Sequence, residues 1–123
     1  YVPGRKKLIN LELMKTKMKK PEACKDILEV RKCIDSIDQK IITLLGLRLK
    51  YVLIASKFKK NLEWINAKTR RERMIKQRIA LAKKKELDPT MIKEIYRILL
   101  TYFAKEQLFK WKLENKKRNR RTK

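Results

Sequence analysis

Ile27, Ile34, Ile41 and Ala55 fall on one heptad stripe, and Val30, Ile37, Leu44, Tyr51 and Phe58 form a second stripe beside it. Two adjacent stripes of this period make a coiled-coil-like face, so the pattern predicts one long helix from about Asp26 to Lys59. Such a helix is about 50 Å long, more than a globule of roughly 95 residues needs. Its length asks for a partner of equal length.

The stretch "KKNLEWINAK", residues 59–68, loses the period and carries Asn61 and Asn66. It reads as a connection, with Trp64 and Ile65 folding back onto the domain. A second helix is expected from Thr69, as N-cap, to Lys85, with Met74, Ile75, Ile79 and Ala82 on its inner face. "LDPT" starts a third, because Asp88 suits an N-cap and Pro89 the first helical position. That helix turns Ile92, Tyr96, Leu99, Leu100, Phe103 and Trp111 inward. Strand-like alternation is nearly absent, and the chain has only two Gly and three Pro. The fold class is therefore all-α, three helices with a long first one. Residues 20–115 form the helical domain. Residues 1–19 are a basic extension, expected to be disordered and left out of the fold reading. "ENKKRNRRTK", which includes the basic tail 116–123, has no apolar stripe and is expected to fray or be disordered.

Charge changes the picture most. Lys and Arg number 36 against 13 Asp and Glu, a formal net charge of +23, and there is no His. An imidazole base and the commonest nitrogen ligand for zinc are thereby excluded, and no metal site is expected. On one continuous helix Cys24 and Cys33 would lie about 13 Å apart on opposite faces, too far for a disulfide. They read as reduced thiols of a cytosolic protein, an inference weakened if the helix starts after Cys24. No apolar run reaches a membrane span, and residues 1–20 lack the apolar region of a signal peptide. A soluble cytoplasmic protein is expected.

Two polar residues interrupt apolar stripes. Arg48 stands on the 27-34-41-48-55 stripe, and Gln107 falls between Phe103 and Trp111. Polar groups in such places need partners. A neighbouring carboxylate would serve Arg48, but acids are scarce, and an exogenous anion becomes the better candidate. Lys59 lies eleven residues beyond Arg48, a rotation of about 20° and a rise of about 16 Å, so the two point the same way. Arg31 is about 25 Å back and rotated by about 100°, too far to share that pocket within one chain. It could reach the equivalent pocket of an antiparallel second copy.

The stretches "LEVRKCIDSID", "LLGLRLKYVLIASKFK" and "AKEQLFKW" resemble the all-helical class of chorismate mutases. In overall pattern they are more similar still to the isochorismate pyruvate lyases of that family. The likeness covers about residues 18–115. It implies three helices intertwined with a second copy as a six-helix homodimer with shared sites, acting on a dianionic substrate without a cofactor. It also implies that Arg48 binds one carboxylate of that substrate and Arg31 of the other chain the second. Lys59 would donate to the ether oxygen whose bond to carbon breaks, with Gln107 approaching from the opposite side. The segment after Lys59 would be a lid that excludes water.

The resemblance divides over the reaction. Arg71 and Glu72 match an Arg-Glu pair of the mutases, in which the Glu accepts a hydrogen bond from the ring hydroxyl, and this favours chorismate. Alternatively they are an ordinary first-turn pair, with Glu72 near the positive end of the helix dipole. Lys68 stands where the mutases carry an acid, and Phe103 is aromatic, as in the lyases. Chorismate to prephenate, in aromatic amino-acid synthesis, and isochorismate to salicylate plus pyruvate, in salicylate biosynthesis, both stay open. A basic helical nucleic-acid binder is the rival reading. Against it, the cations are spread over all three helices, and no helix-turn-helix or zinc spacing appears.

Overall fold

The computed structural model describes residues 18–59 and 68–121. All regular structure among the described residues is helical, without a strand. Three helices carry the fold: α1 (Ile27–Ala55), α2 (Lys68–Lys84) and α3 (Pro89–Arg121). Short 3-10 helices occur at Pro21–Ala23 and at Ser56–Phe58, the second continuing directly from α1. No helix among the described residues is long and apolar enough to cross a membrane.

The chain divides into two compact units, one ending at Gly46 and the other starting at Leu47, so α1 contributes to both. In the first unit Asp26 caps α1, its Oδ1 accepting the Glu29 N–H at 2.8 Å. Glu29 reaches back to accept the Lys25 N–H at 2.8 Å and pairs with the Lys19 ammonium at 3.0 Å. This exchange resembles a capping box and satisfies donors that the first turn cannot. The Lys25 N–H first, and then Lys19, hold the Glu29 carboxyl below its ordinary range. Because α1 starts only at Ile27, Cys24 precedes the helix, and the placement of the two cysteines on opposite faces of one helix is corrected. Both are free, half-buried thiols. Burial first, and the neighbouring Cys33 second, push the Cys24 thiol up. On the apolar stripes of this unit Val30 is half-buried, whereas Ile34, Ile37, Ile41 and Leu44 are all exposed.

In the second unit α2 and α3 pack on each other, and Ala82, Leu100 and Phe103 form the buried apolar centre. The expected inner faces hold: Met74, Ile75 and Ile79 are half-buried beside Ala82, as are Ile92, Tyr96 and Leu99 beside Leu100. Asp88 caps α3 as its sequence suggests, with Oδ1 accepting the Thr90 N–H at 2.9 Å. Three boundaries differ from expectation. The end of α1 tightens into the 3-10 turn, leaving Lys59 extended at its close (φ −89°, ψ 121°). Thr69 lies inside α2, whose first residue is Lys68. α3 continues to Arg121, because Lys, Arg and Glu are good helix formers and no Gly or Pro follows Pro89. The absence of an apolar stripe thus fails to end the helix. The expected disorder of residues 1–17, and the connection carrying Trp64 and Ile65 with its lid role, lie outside the described residues.

Candidate active site

The second unit forms a half-open cavity of about 280 Å³ between the end of α1, the start of α2 and the middle of α3. Arg48, Lys59, Arg70 and Arg71 supply four cations to its lining, and no Asp or Glu is among the lining residues. Val52, Ala55, Met74, Leu100 and Phe103 supply apolar wall. A cavity of this make-up suits a compact anion, because several cations converge on one space beside apolar walls.

Arg48 is held without an acid. Its guanidinium carbon lies 4.9 Å from the centre of the Phe103 ring and 6.0 Å from that of Tyr96. Nη2 donates to the Met74 sulfur at 3.5 Å, a weak acceptor. Nη1 is buried and has no hydrogen-bond partner among the described residues. Aromatic faces and a thioether fix the planar group in place while leaving its charge uncompensated. Burial pulls the Arg48 pKa below the ordinary arginine value, and repulsion from Arg78 and Arg70 adds to this.

Lys59 and Gln107 form a second polar element. The Lys59 ammonium donates to Gln107 Oε1 at 3.1 Å, and Gln107 Nε2 donates to the Val52 carbonyl at 2.6 Å. Val52 lies in the last turn of α1, where the helical ladder runs out of donors, so the glutamine amide has an acceptor ready. With a cation on one side and a carbonyl on the other, the amide can take only one orientation. Gln107 is 4% exposed, a buried polar group whose two ends are both used. Burial first, and the field of Arg70 second, lower the Lys59 pKa from the usual lysine value.

Most residues singled out from sequence therefore meet: Arg48, Lys59, Arg71, Phe103 and Gln107 surround one space. Glu72 is exposed and stands outside this lining. Arg31, also exposed, belongs to the first unit. Arg70 was missed, although the signal was present: Arg70 and Arg71 stand four residues before the inward Met74 and Ile75 and so share their helix face. Both do line the cavity.

The comparisons with known proteins agree with this geometry. The family described as chorismate mutase type II matches residues 30–108. The chain belongs to the type II chorismate mutase family. An isochorismate pyruvate lyase from Pseudomonas aeruginosa is 33% identical over 95 residues, covering 77% of this chain and 94% of that relative. As a member of this family the chain is a pericyclic enzyme of chorismate-mutase type, and neither comparison points to a nucleic-acid binder.

Proposed function

We propose that the cavity binds a chorismate-type dianion, with loss of pyruvate from isochorismate as its principal reaction and rearrangement of chorismate to prephenate as a secondary one. The observation that carries this reading is the buried Nη1 of Arg48, without a hydrogen-bond partner among the described residues, in a cavity whose described lining holds four cations and no carboxylate. A substrate carboxylate completes that guanidinium, and Arg70 and Arg71 lie at the same cavity for other oxygens. The lyase is favoured by the P. aeruginosa relative and by Glu72, which lies outside the lining and so lacks the place of a ring-hydroxyl acceptor. Phe103 in the wall supports the same choice.

Release of pyruvate requires the ether carbon–oxygen bond to break and one ring hydrogen to reach the methylene carbon of the side chain, leaving an aromatic ring. Negative charge grows on the ether oxygen, and the Lys59 ammonium is the donor for it. Gln107 holds that ammonium and keeps one amide hydrogen beyond the one given to Val52, so it can also approach the oxygen. The cavity further selects a compact, reactive conformer, which lowers the entropic part of the barrier.

A two-fold dimer completes the reading. The exposed Ile34, Ile37, Ile41 and Leu44 provide the face that a second copy would cover, and Arg31 of the partner subunit would bind the second carboxylate. The test is a paired assay of purified protein, salicylate release from isochorismate beside prephenate formation from chorismate. Dominant salicylate release is expected. Dominant prephenate formation would reverse the order of the two reactions, and neither product would refute the site.

A further inference from the structure

Lys59 is gripped at two points by the same helix. Its ammonium donates to Gln107, and its backbone carbonyl accepts the Trp111 indole N–H at 3.0 Å. Gln107 and Trp111 are four residues apart on α3 and so lie on one face, one turn from each other. The carbonyl needs such a donor. Lys59 closes the 3-10 turn with its own N–H on the Ser56 carbonyl at 3.3 Å, and its extended ψ then carries its C=O out of the helical ladder.

We infer that Trp111 is a positioning residue for the reaction: its N–H fixes the backbone from which the Lys59 side chain reaches the cavity. Trp111 itself is not among the cavity-lining residues, and it lies beyond the family match at residue 108. Its effect passes through Lys59. The ammonium sits at the end of a four-carbon stem, so a change in backbone direction at Lys59 moves the donor away from the place where charge develops. An error of about 1 Å there can cost up to about a hundredfold in rate. Gln107 alone does not prevent this, because it restrains only the far end of the stem. The inference rests on the reading of Lys59 as donor to the ether oxygen.

Trp111→Phe keeps an aromatic ring and removes the N–H. In a folded variant kcat is expected to fall roughly tenfold, with KM changed by less than about threefold, since Arg48 and its carboxylate contact are untouched. The same substitution in a Lys59→Ala background is expected to cause no further fall, as residues acting as a unit are not additive. An unchanged kcat in folded Trp111→Phe, or an equal loss in the Lys59→Ala background, would overturn the inference; the second result would mark Trp111 as structural. Near-normal turnover by Lys59→Ala alone would instead remove the reading of Lys59 on which the inference stands. Should Trp111→Phe not fold, benzothienylalanine at position 111 keeps the shape of indole without its N–H, and the same two outcomes apply.

Discussion

Up to Gly46, α1 runs through a unit in which Ile34, Ile37, Ile41 and Leu44 are all exposed, whereas from Leu47 on the same helix is met by side chains of α2 and α3. In the second region a polar residue on the apolar stripe, Arg48, is half-buried among Met74, Tyr96 and Phe103. In the first, Ile34, Ile37, Ile41 and Leu44 of the same stripes are exposed. The contrast teaches that one heptad pattern serves two purposes. Where α2 and α3 meet it, one stripe gives Arg48 and Ala55 to the wall of the cavity; Tyr51 and Phe58 of the other stay exposed like Ile34, Ile37, Ile41 and Leu44, and under the proposed dimer such residues are what a second copy would cover. Fully burying an exposed Ile or Leu gains roughly 1.5–3 kcal/mol, and these four are already about half covered, so completing their burial gains roughly half of that for each under the proposed dimer.

The comparison is broken most severely by placing charge on the uncovered face. Ile34→Asp with Ile41→Asp is expected to yield monomers by analytical ultracentrifugation and to abolish both activities, although neither residue lines the cavity. A fully active monomer would show that the second region suffices alone.

Within the second region the largest single effect is expected from Lys59→Ala, a fall in kcat of about 10²–10³ by analogy with the loss of an oxyanion donor. Stopped or steady-state assays of a variant with unchanged circular dichroism would check it. A weaker but more informative result joins the two regions. Inactive Arg31→Ala and Arg48→Ala chains, mixed in equal amounts and allowed to exchange, should recover about a quarter of wild-type activity, because half of the dimers then hold one intact pocket. No recovery despite demonstrated exchange would count against a shared site.

The smallest effect concerns pH. Burial and Arg70 hold the Lys59 pKa below the usual lysine value, and under the proposed mechanism the ammonium is the active form. kcat/KM, which reports the free enzyme, should therefore decline with rising pH from below the ordinary 10.5, while the same limb of kcat lies higher because a bound dianion favours the charged lysine. Arg70→Ala removes one repulsive neighbour and should move the kcat/KM limb upward. A limb unmoved by that substitution would assign it to another group.

Much of this was legible in sequence for physical reasons that can be named. Arg48 and Gln107 declared themselves by interrupting apolar stripes, since a helix shows in its periodicity which positions face inward. Asp88 and Pro89 marked the start of α3, because each has one favoured place there. The length of α3 was hidden, because a helix without a stop signal can outrun its apolar stripe. The contacts of Lys59 were hidden as well. Its 3-10 turn, the free carbonyl that results and the Trp111 N–H that meets it depend on how α1 tightens at Ser56, a residue 1% exposed whose hydroxyl donates to the Leu53 carbonyl at 2.6 Å. Sequence presented Trp111 as one more inward aromatic.

The unmated nitrogen of Arg48 also bears on how such a chain can change over generations. Replacing an uncompensated, half-buried cation with leucine should make the empty protein more robust to heat while leaving it unable to hold its substrate. Under the proposed binding role, Arg48 is thus the position at which selection for a sturdier fold and selection for turnover pull in opposite directions. A descendant released from its metabolic duty would be expected to lose this arginine early, and to gain stability in losing it.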